Sequence, residues 1–209
     1  MRTLATSFAW MADGTTLCAK TIADAELDQP SLLPGWTRKH VVAHLAANAE
    51  ALGNLVHWAR TGEERRMYTS PEQRNADIES GAERSASELR TWFAEAAQRL
   101  AHAMSELTEE QWQTPVLTAQ GRQIPATEIP WMRTREVMVH AVDLGAGVTF
   151  ADLPDDFLEE LGADIRAKRG SVPDVLGPLA EVAAYLAGRS YEGVLTPDGS
   201  PAPPLPPWL

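Results

Sequence analysis

Glu136 and His140 stand four residues apart in Arg-Thr-Arg-Glu-Val-Met-Val-His-Ala-Val-Asp-Leu, residues 133–144. On an α-helix that spacing puts a carboxylate and an imidazole on one face, one turn apart, and Asp143 continues the face. Such a pair offers two metal ligands. The third candidate is His44, which shares a face with Val41, Leu45, Asn48, Leu52 and Leu55. A polar side chain on an apolar helix face needs a partner or costs stability. His44 taken alone reads as a hydrogen-bonded core histidine; beside a second inward pair on another helix, it completes a metal-ligand set. His40 competes for the place, since it too lies four residues from His44, but its position beside Lys39 in a first helical turn suits an exposed residue. Asn48 is expected to support the site or to bond a neighbouring helix. His57 and His102 sit among charged neighbours and read as solvated.

Three ligands need rigid helices to hold them. Leu4, Phe8, Met11, Cys18 and Ile22 form one apolar stripe over residues 3–24. Thr37 is a suitable N-cap for a second helix over residues 38–59. Leu89, Phe93, Ala96, Leu100 and Leu107 mark a third helix over about 78–107, with residues 60–76 read as a loop or short turn. Thr108-Glu-Glu-Gln resembles a capping box opening a short turn. Residues 114–125 read as an irregular crossing or small hairpin. The central helix falls within 126–147, with Thr127 as its N-cap and Gly145 as its stop. Four amphipathic helices with inward polar ligands predict a mainly α protein, a metal-binding four-helix bundle over residues 1–150.

Residues 151–209 have a different texture. A fifth helix after Pro154 carries Phe157, Leu158, Leu161 and Ile165, and another follows over residues 178–187. The tail holds six prolines from Pro197 onward and must be extended; Trp208 and Leu209 suggest that its end is pinned to the body. This region is expected to be a reduced C-terminal α(+β) segment, with a stray strand near residues 193–195.

The net charge of −11 argues against nucleic acid or an anionic membrane as the main partner. No apolar run reaches the length of a membrane span, and no signal peptide is read at the start. Cys18 is the lone cysteine, which excludes an internal disulfide and fits a cytoplasmic protein; its apolar setting predicts packing rather than reactivity.

Leu-Pro-Gly-Trp-Thr-Arg-Lys-His-Val-Val-Ala-His-Leu-Ala, residues 33–46, resembles the signature of the mycothiol-dependent maleylpyruvate isomerases, within the wider DinB-like group of metalloenzymes. Residues 135–144, Tyr-Leu-Ala-Gly-Arg-Ser at 185–190, and the closing Leu-Pro-Pro-Trp-Leu resemble that family as well. The resemblance implies a DinB-like bundle with a divalent metal, typically zinc, on His44, Glu136 and His140. It implies mycothiol as cofactor and a catalytic role for Arg189; without the family, Arg189 reads equally as a helix-end arginine. It also implies a small electrophilic substrate: thiolate addition to the double bond of maleylpyruvate, rotation and thiol loss would give fumarylpyruvate. Three protein ligands leave an open position, the mark of a catalytic zinc site that can lower the pKa of a bound thiol. In that family a strand-rich segment usually precedes the Gly-Arg motif, and here only residues 170–178 occupy its place. A mycothiol S-transferase acting on another electrophile and a non-catalytic metal-binding bundle remain alternatives. The facial triad of non-haem iron oxygenases is disfavoured by the helical texture. A monomer or homodimer is expected.

Overall fold

The computed structural model describes residues 2–208, so the expectation for Leu209 lies outside the described residues. The chain divides into two compact units, Thr3–Gly147 and, with Arg2, Val148–Leu209.

The first unit contains α1 (Leu4–Asp24), α2 (Arg38–Thr61), α3 (Pro71–Ala82), α4 (Ala86–Ser105), the single turn α5 (Glu109–Trp112) and α6 (Ile129–Asp143). Helix α1 packs on α6 and α4, and α2 packs on α4 and α6, which closes a four-helix ring. Helix α3 lies against α2. The only sheet among the described residues is the expected hairpin, β1 (Pro115–Leu117) antiparallel to β2 (Gln123–Pro125), with Val116 opposite Ile124. The protein is mainly α, as its periodicity predicts.

Local sequence sets these boundaries. Thr3 and Thr6 exchange hydrogen bonds at the start of α1, at 2.9 and 3.1 Å. Helix α2 stops at Gly62, whose φ of 77° is the left-handed conformation that glycine reaches at little cost. The third predicted helix is two helices. Ser85 opens α4 by accepting from the Glu88 amide while the Glu88 carboxylate accepts from the Ser85 amide, and this box interrupts the run that begins at Pro71. Thr127 does not cap the central helix. A 3₁₀ turn over Ala126–Glu128 comes first, and α6 begins at Ile129 with Pro130 in its first turn, where a missing N–H costs nothing.

Helix α6 is the axis of this unit, with every residue except Met132 and Glu136 buried. Its approach to α1 is close: a Cβ on Gly14 would stand 2.7 Å from Val137 Cγ2, so glycine is what lets the two backbones meet. Helices α2 and α6 run antiparallel. Arg38, at the start of α2, donates to the carbonyls of Leu144 and Gly145 just past the end of α6, at 2.8 and 2.6 Å. Further along, Arg133 Nη1 donates to Leu45 O at 2.7 Å and to Asn48 Oδ1 at 2.9 Å.

The second unit contains a 3₁₀ turn over Phe150–Asp152, α7 (Asp155–Arg169) and α8 (Leu179–Leu186), the last two packed on each other. Around the expected stray strand, Leu195 forms isolated antiparallel bridges with Leu176 and with Pro201. The proline-rich tail is pinned: the Trp208 amide donates to Ala187 O at 3.2 Å, and Lys168 Nζ lies 5.5 Å from the Trp208 ring. Gly188 admits the tail, because a Cβ there would strike the Pro206 backbone.

Candidate metal centre

The antiparallel α2–α6 pair brings His44 opposite Glu136 and His140. Glu136 Oε2 lies 2.9 Å from His44 Nε2 and 3.3 Å from His140 Nε2. One ligand atom from each residue falls within 4.8 Å of the other two, the reach of a single ion. The imidazoles meet edge to face, with ring centroids 4.8 Å apart. Both histidines are buried, while the Glu136 side chain keeps 16% of its surface open, so the carboxylate is where the cluster meets solvent.

Each histidine has a partner on the side of its ring away from the cluster. His140 Nδ1–H donates to Asp143 Oδ2 at 2.8 Å, which leaves Nε2 facing the cluster. A carboxylate behind a ligating histidine fixes the tautomer and raises the basicity of the ring. Trp36, from the Leu-Pro-Gly-Trp-Thr segment, packs at 5.8 Å against His44 and stacks at 6.2 Å on His40. Arg74 Nη2, from α3, lies 3.3 Å from His44 Nδ1. Asn48 accepts from Arg133 on the neighbouring helix and hydrogen-bonds with Tyr68. Arg133 is 1% exposed, and burial lowers its pKa to about 10, so the guanidinium is still charged at neutral pH.

The charges are sorted as a metal site requires. Burial alone would raise the pKa of Glu136, but hydrogen bonds from His140 and His44 outweigh it and hold the carboxyl well below the usual range. Burial lowers the pKa of His44, more than Glu136 raises it, and keeps the ring neutral. For His140 burial works in the same direction, yet the Asp143 and Glu136 carboxylates overcome it and lift the pKa to about 9. The proton on His140 Nε2 therefore stands where a divalent cation would: between two imidazoles and a carboxylate. Two nitrogens and one oxygen on rigid helices fit a zinc-like ion with an open position.

His40 is otherwise occupied. Its Nδ1 accepts from the Thr37 amide at 3.2 Å and meets the Thr37 hydroxyl at 2.8 Å, and its Nε2 faces Glu79 at 3.3 Å. It closes the cap of α2. His57 and His102 face Glu63 and Glu106 at 3.4 and 3.6 Å, away from the cluster. Arg189 lies in the second unit just after α8, and its Nη1 donates to Ala187 O at 2.8 Å. Sequence reasoning missed Arg74, Arg133 and Arg38. Only Asp143, three residues after His140, carries a spacing that could have shown its supporting role.

Fold and site define a helix-bundle protein with a buried two-histidine, one-carboxylate cluster able to hold a divalent ion. The family model described as "Mycothiol maleylpyruvate isomerase N-terminal domain" matches residues 9–145. A crystal structure of the mycothiol-dependent maleylpyruvate isomerase superposes with a TM-score of 0.92 at 39% identity, covering 99% of this chain and 98% of the other. A histidine-to-alanine mutant of the mycothiol-dependent maleylpyruvate isomerase gives a TM-score of 0.91 with the same identity and coverage. A search of curated protein sequences finds no significant match. The chain belongs to the mycothiol maleylpyruvate isomerase family.

Proposed function

We propose that this protein is a metal- and mycothiol-dependent maleylpyruvate isomerase, converting the cis double bond of maleylpyruvate to the trans bond of fumarylpyruvate. The observation that carries this reading is the convergence of His44 Nε2, Glu136 Oε2 and His140 Nε2, in a chain similar to such an enzyme over nearly its whole length. In this reading residues 1–150 form the metal-binding domain and residues 151–209 the C-terminal domain that carries Arg189.

His44, Glu136 and His140 would hold the ion, and zinc suits the donor set. A divalent metal there would supply the Lewis acidity that makes a thiol a thiolate near neutral pH. The chain's own residues do the rest. Asp143 fixes the His140 ring. Arg133 ties α6 to α2 and keeps the ligands in register. Cys18 is fully buried and burial raises its thiol pKa to about 12, so the nucleophile comes from a small-molecule thiol. Arg189 would bind a substrate carboxylate through its planar fork. No helix among the described residues is long and apolar enough to cross a membrane, and with a lone buried thiol we place the protein in the cytoplasm, as a monomer or homodimer.

The test is turnover of maleylpyruvate by zinc-loaded protein with and without mycothiol, followed by the absorbance of the conjugated acid. Fumarylpyruvate formed only when both zinc and mycothiol are present supports the isomerase. Metal-loaded protein that binds mycothiol yet never isomerises maleylpyruvate rejects it and puts a mycothiol S-transferase first.

A further inference from the structure

We propose that Arg74 binds a carboxylate of the electrophilic substrate, and that it becomes free for this task when a metal occupies His44. The inference rests on the isomerase reading for the identity of the substrate and on the geometry around His44 for the role of the arginine.

A guanidinium only donates hydrogen bonds. The 3.3 Å contact between Arg74 Nη2 and His44 Nδ1 therefore needs the lone pair on Nδ1 and the ring proton on Nε2, where it faces Glu136 Oε2 at 2.9 Å. A metal ligated through Nε2 takes the lone pair on that side and leaves the proton on Nδ1. Two donors would then confront each other, and the contact cannot persist. His140 is arranged the opposite way: its Nδ1–H points at Asp143, so a metal that displaces the Nε2 proton meets the ligating tautomer without any change behind the ring. The two histidines thus have opposite backing, a carboxylate behind one and a cation behind the other. The Asp143 contact serves ligation directly, and the Arg74 contact is one that ligation breaks.

A second observation gives the released arginine a ligand. Among the described residues no ion pair joins Arg74 to a carboxylate: it meets the Asn75 side-chain oxygen at 3.2 Å, hydrogen-bonds with the Tyr68 side chain, and lies 5.8 Å from the Tyr68 ring centroid. Arg60, Arg66 and Arg99, by contrast, each have a carboxylate beside them. In the loaded site, two positive charges on the ion and the buried guanidinium of Arg133 would face only the carboxylates of Glu136 and Asp143, and Arg74 would add to a net positive charge. An anion placed at the open position would settle that balance, and a carboxylate matches the arginine fork in a bidentate way. Tyr68 adds a neutral donor on the same side, since burial and the charge of Glu136 raise its pKa and keep the phenol protonated.

The experiment uses zinc-loaded full-length protein and maleate as the probe. Wild type, Arg74→Gln and Arg74→Lys are compared for zinc affinity by chelator competition, for maleate binding by calorimetry, and for folding by thermal melting. Arg74→Gln should melt like wild type, keep zinc at equal or higher affinity, and bind maleate about tenfold or more weakly, the loss expected for a charge-assisted contact. Arg74→Lys should recover part of the maleate affinity. Loss of zinc affinity in Arg74→Gln would make the arginine a support for His44 and overturn the proposal. Unchanged maleate affinity in the variant, or no maleate binding by wild type, would overturn it too. Maleylpyruvate turnover is measured separately: Arg74-dependent maleate binding without turnover rejects the isomerase reading and leaves the carboxylate site standing.

Discussion

Asp143, fully buried, receives the Nδ1–H of His140 at 2.8 Å, so a carboxylate with no access to water orients the ligand one turn before it. Replacing Asp143 with Asn should lower zinc affinity by about 10- to 100-fold, the usual cost of losing such a partner. Chelator competition reads this, and unchanged affinity would show that His140 needs no backing.

The ligand assignment is tested residue by residue. His44→Ala, Glu136→Ala and His140→Ala should each remove most bound metal in elemental analysis, because a three-ligand site has none to spare. His40→Ala should keep the metal and lose some thermal stability, since His40 closes the cap of α2. Metal lost from His40→Ala but retained in His44→Ala would reverse the assignment.

The metal-free cluster should respond to pH in a definite direction. Folding raises the pKa of His140 from 6.5 to about 9. A raised pKa contributes stability that is complete below pH 6.5 and is lost as pH rises through 9. Metal must displace that proton, so zinc affinity should rise by about tenfold per pH unit within the same window. Thermal melts of apo protein and zinc titrations at pH 6.5, 7.5 and 8.5 measure both trends; affinity flat across that range would mean that His140 is already neutral.

Cys18 is expected to be inert. Its thiol pKa is raised from 9.0 to about 12 by burial. The stability tied to the neutral thiol is complete below pH 9 and declines toward pH 12, up to roughly 4 kcal/mol. Cys18→Ala should therefore flatten the alkaline loss of stability, keep zinc, and keep thiol-dependent turnover. Rapid alkylation of native protein by iodoacetamide would contradict this.

Arg189→Ala should keep the metal and reduce kcat/KM by about 100-fold or more, roughly 3 kcal/mol of transition-state stabilisation. Full turnover in this variant would return Arg189 to the role its Ala187 contact already describes, a cap on the end of α8.

The site was legible in the sequence because its ligands lie on helices whose period is fixed. Glu136 and His140 announce one face by spacing alone, and His44 is the polar residue that an apolar stripe cannot explain. The split between α3 and α4 was legible in principle, since Ser85 and Glu88 have capping-box spacing, but the apolar period of the flanking residues ran across the break. The start of α6 was hidden because Thr127 resembles a cap and the Pro130 turn displaces it. Arg74, Arg133 and Arg38 could not be read at all. Each acts through a contact with a distant segment, from 30 to 107 residues away, and no local pattern encodes such a meeting.

His44 and Glu136 are separated by 92 residues of chain, whereas Glu136 and His140 are neighbours on one helix. An ion bridging the three would act as a reversible staple. In the unfolded chain only the local Glu136–His140 pair could hold it, and weakly, because gathering His44 means closing a long loop against chain entropy. The full ligand set exists only after α2 has docked on α6. Metal in the medium would thus favour the folded chain by mass action, and its withdrawal by a chelator would loosen the junction of these two helices before any other part of the bundle.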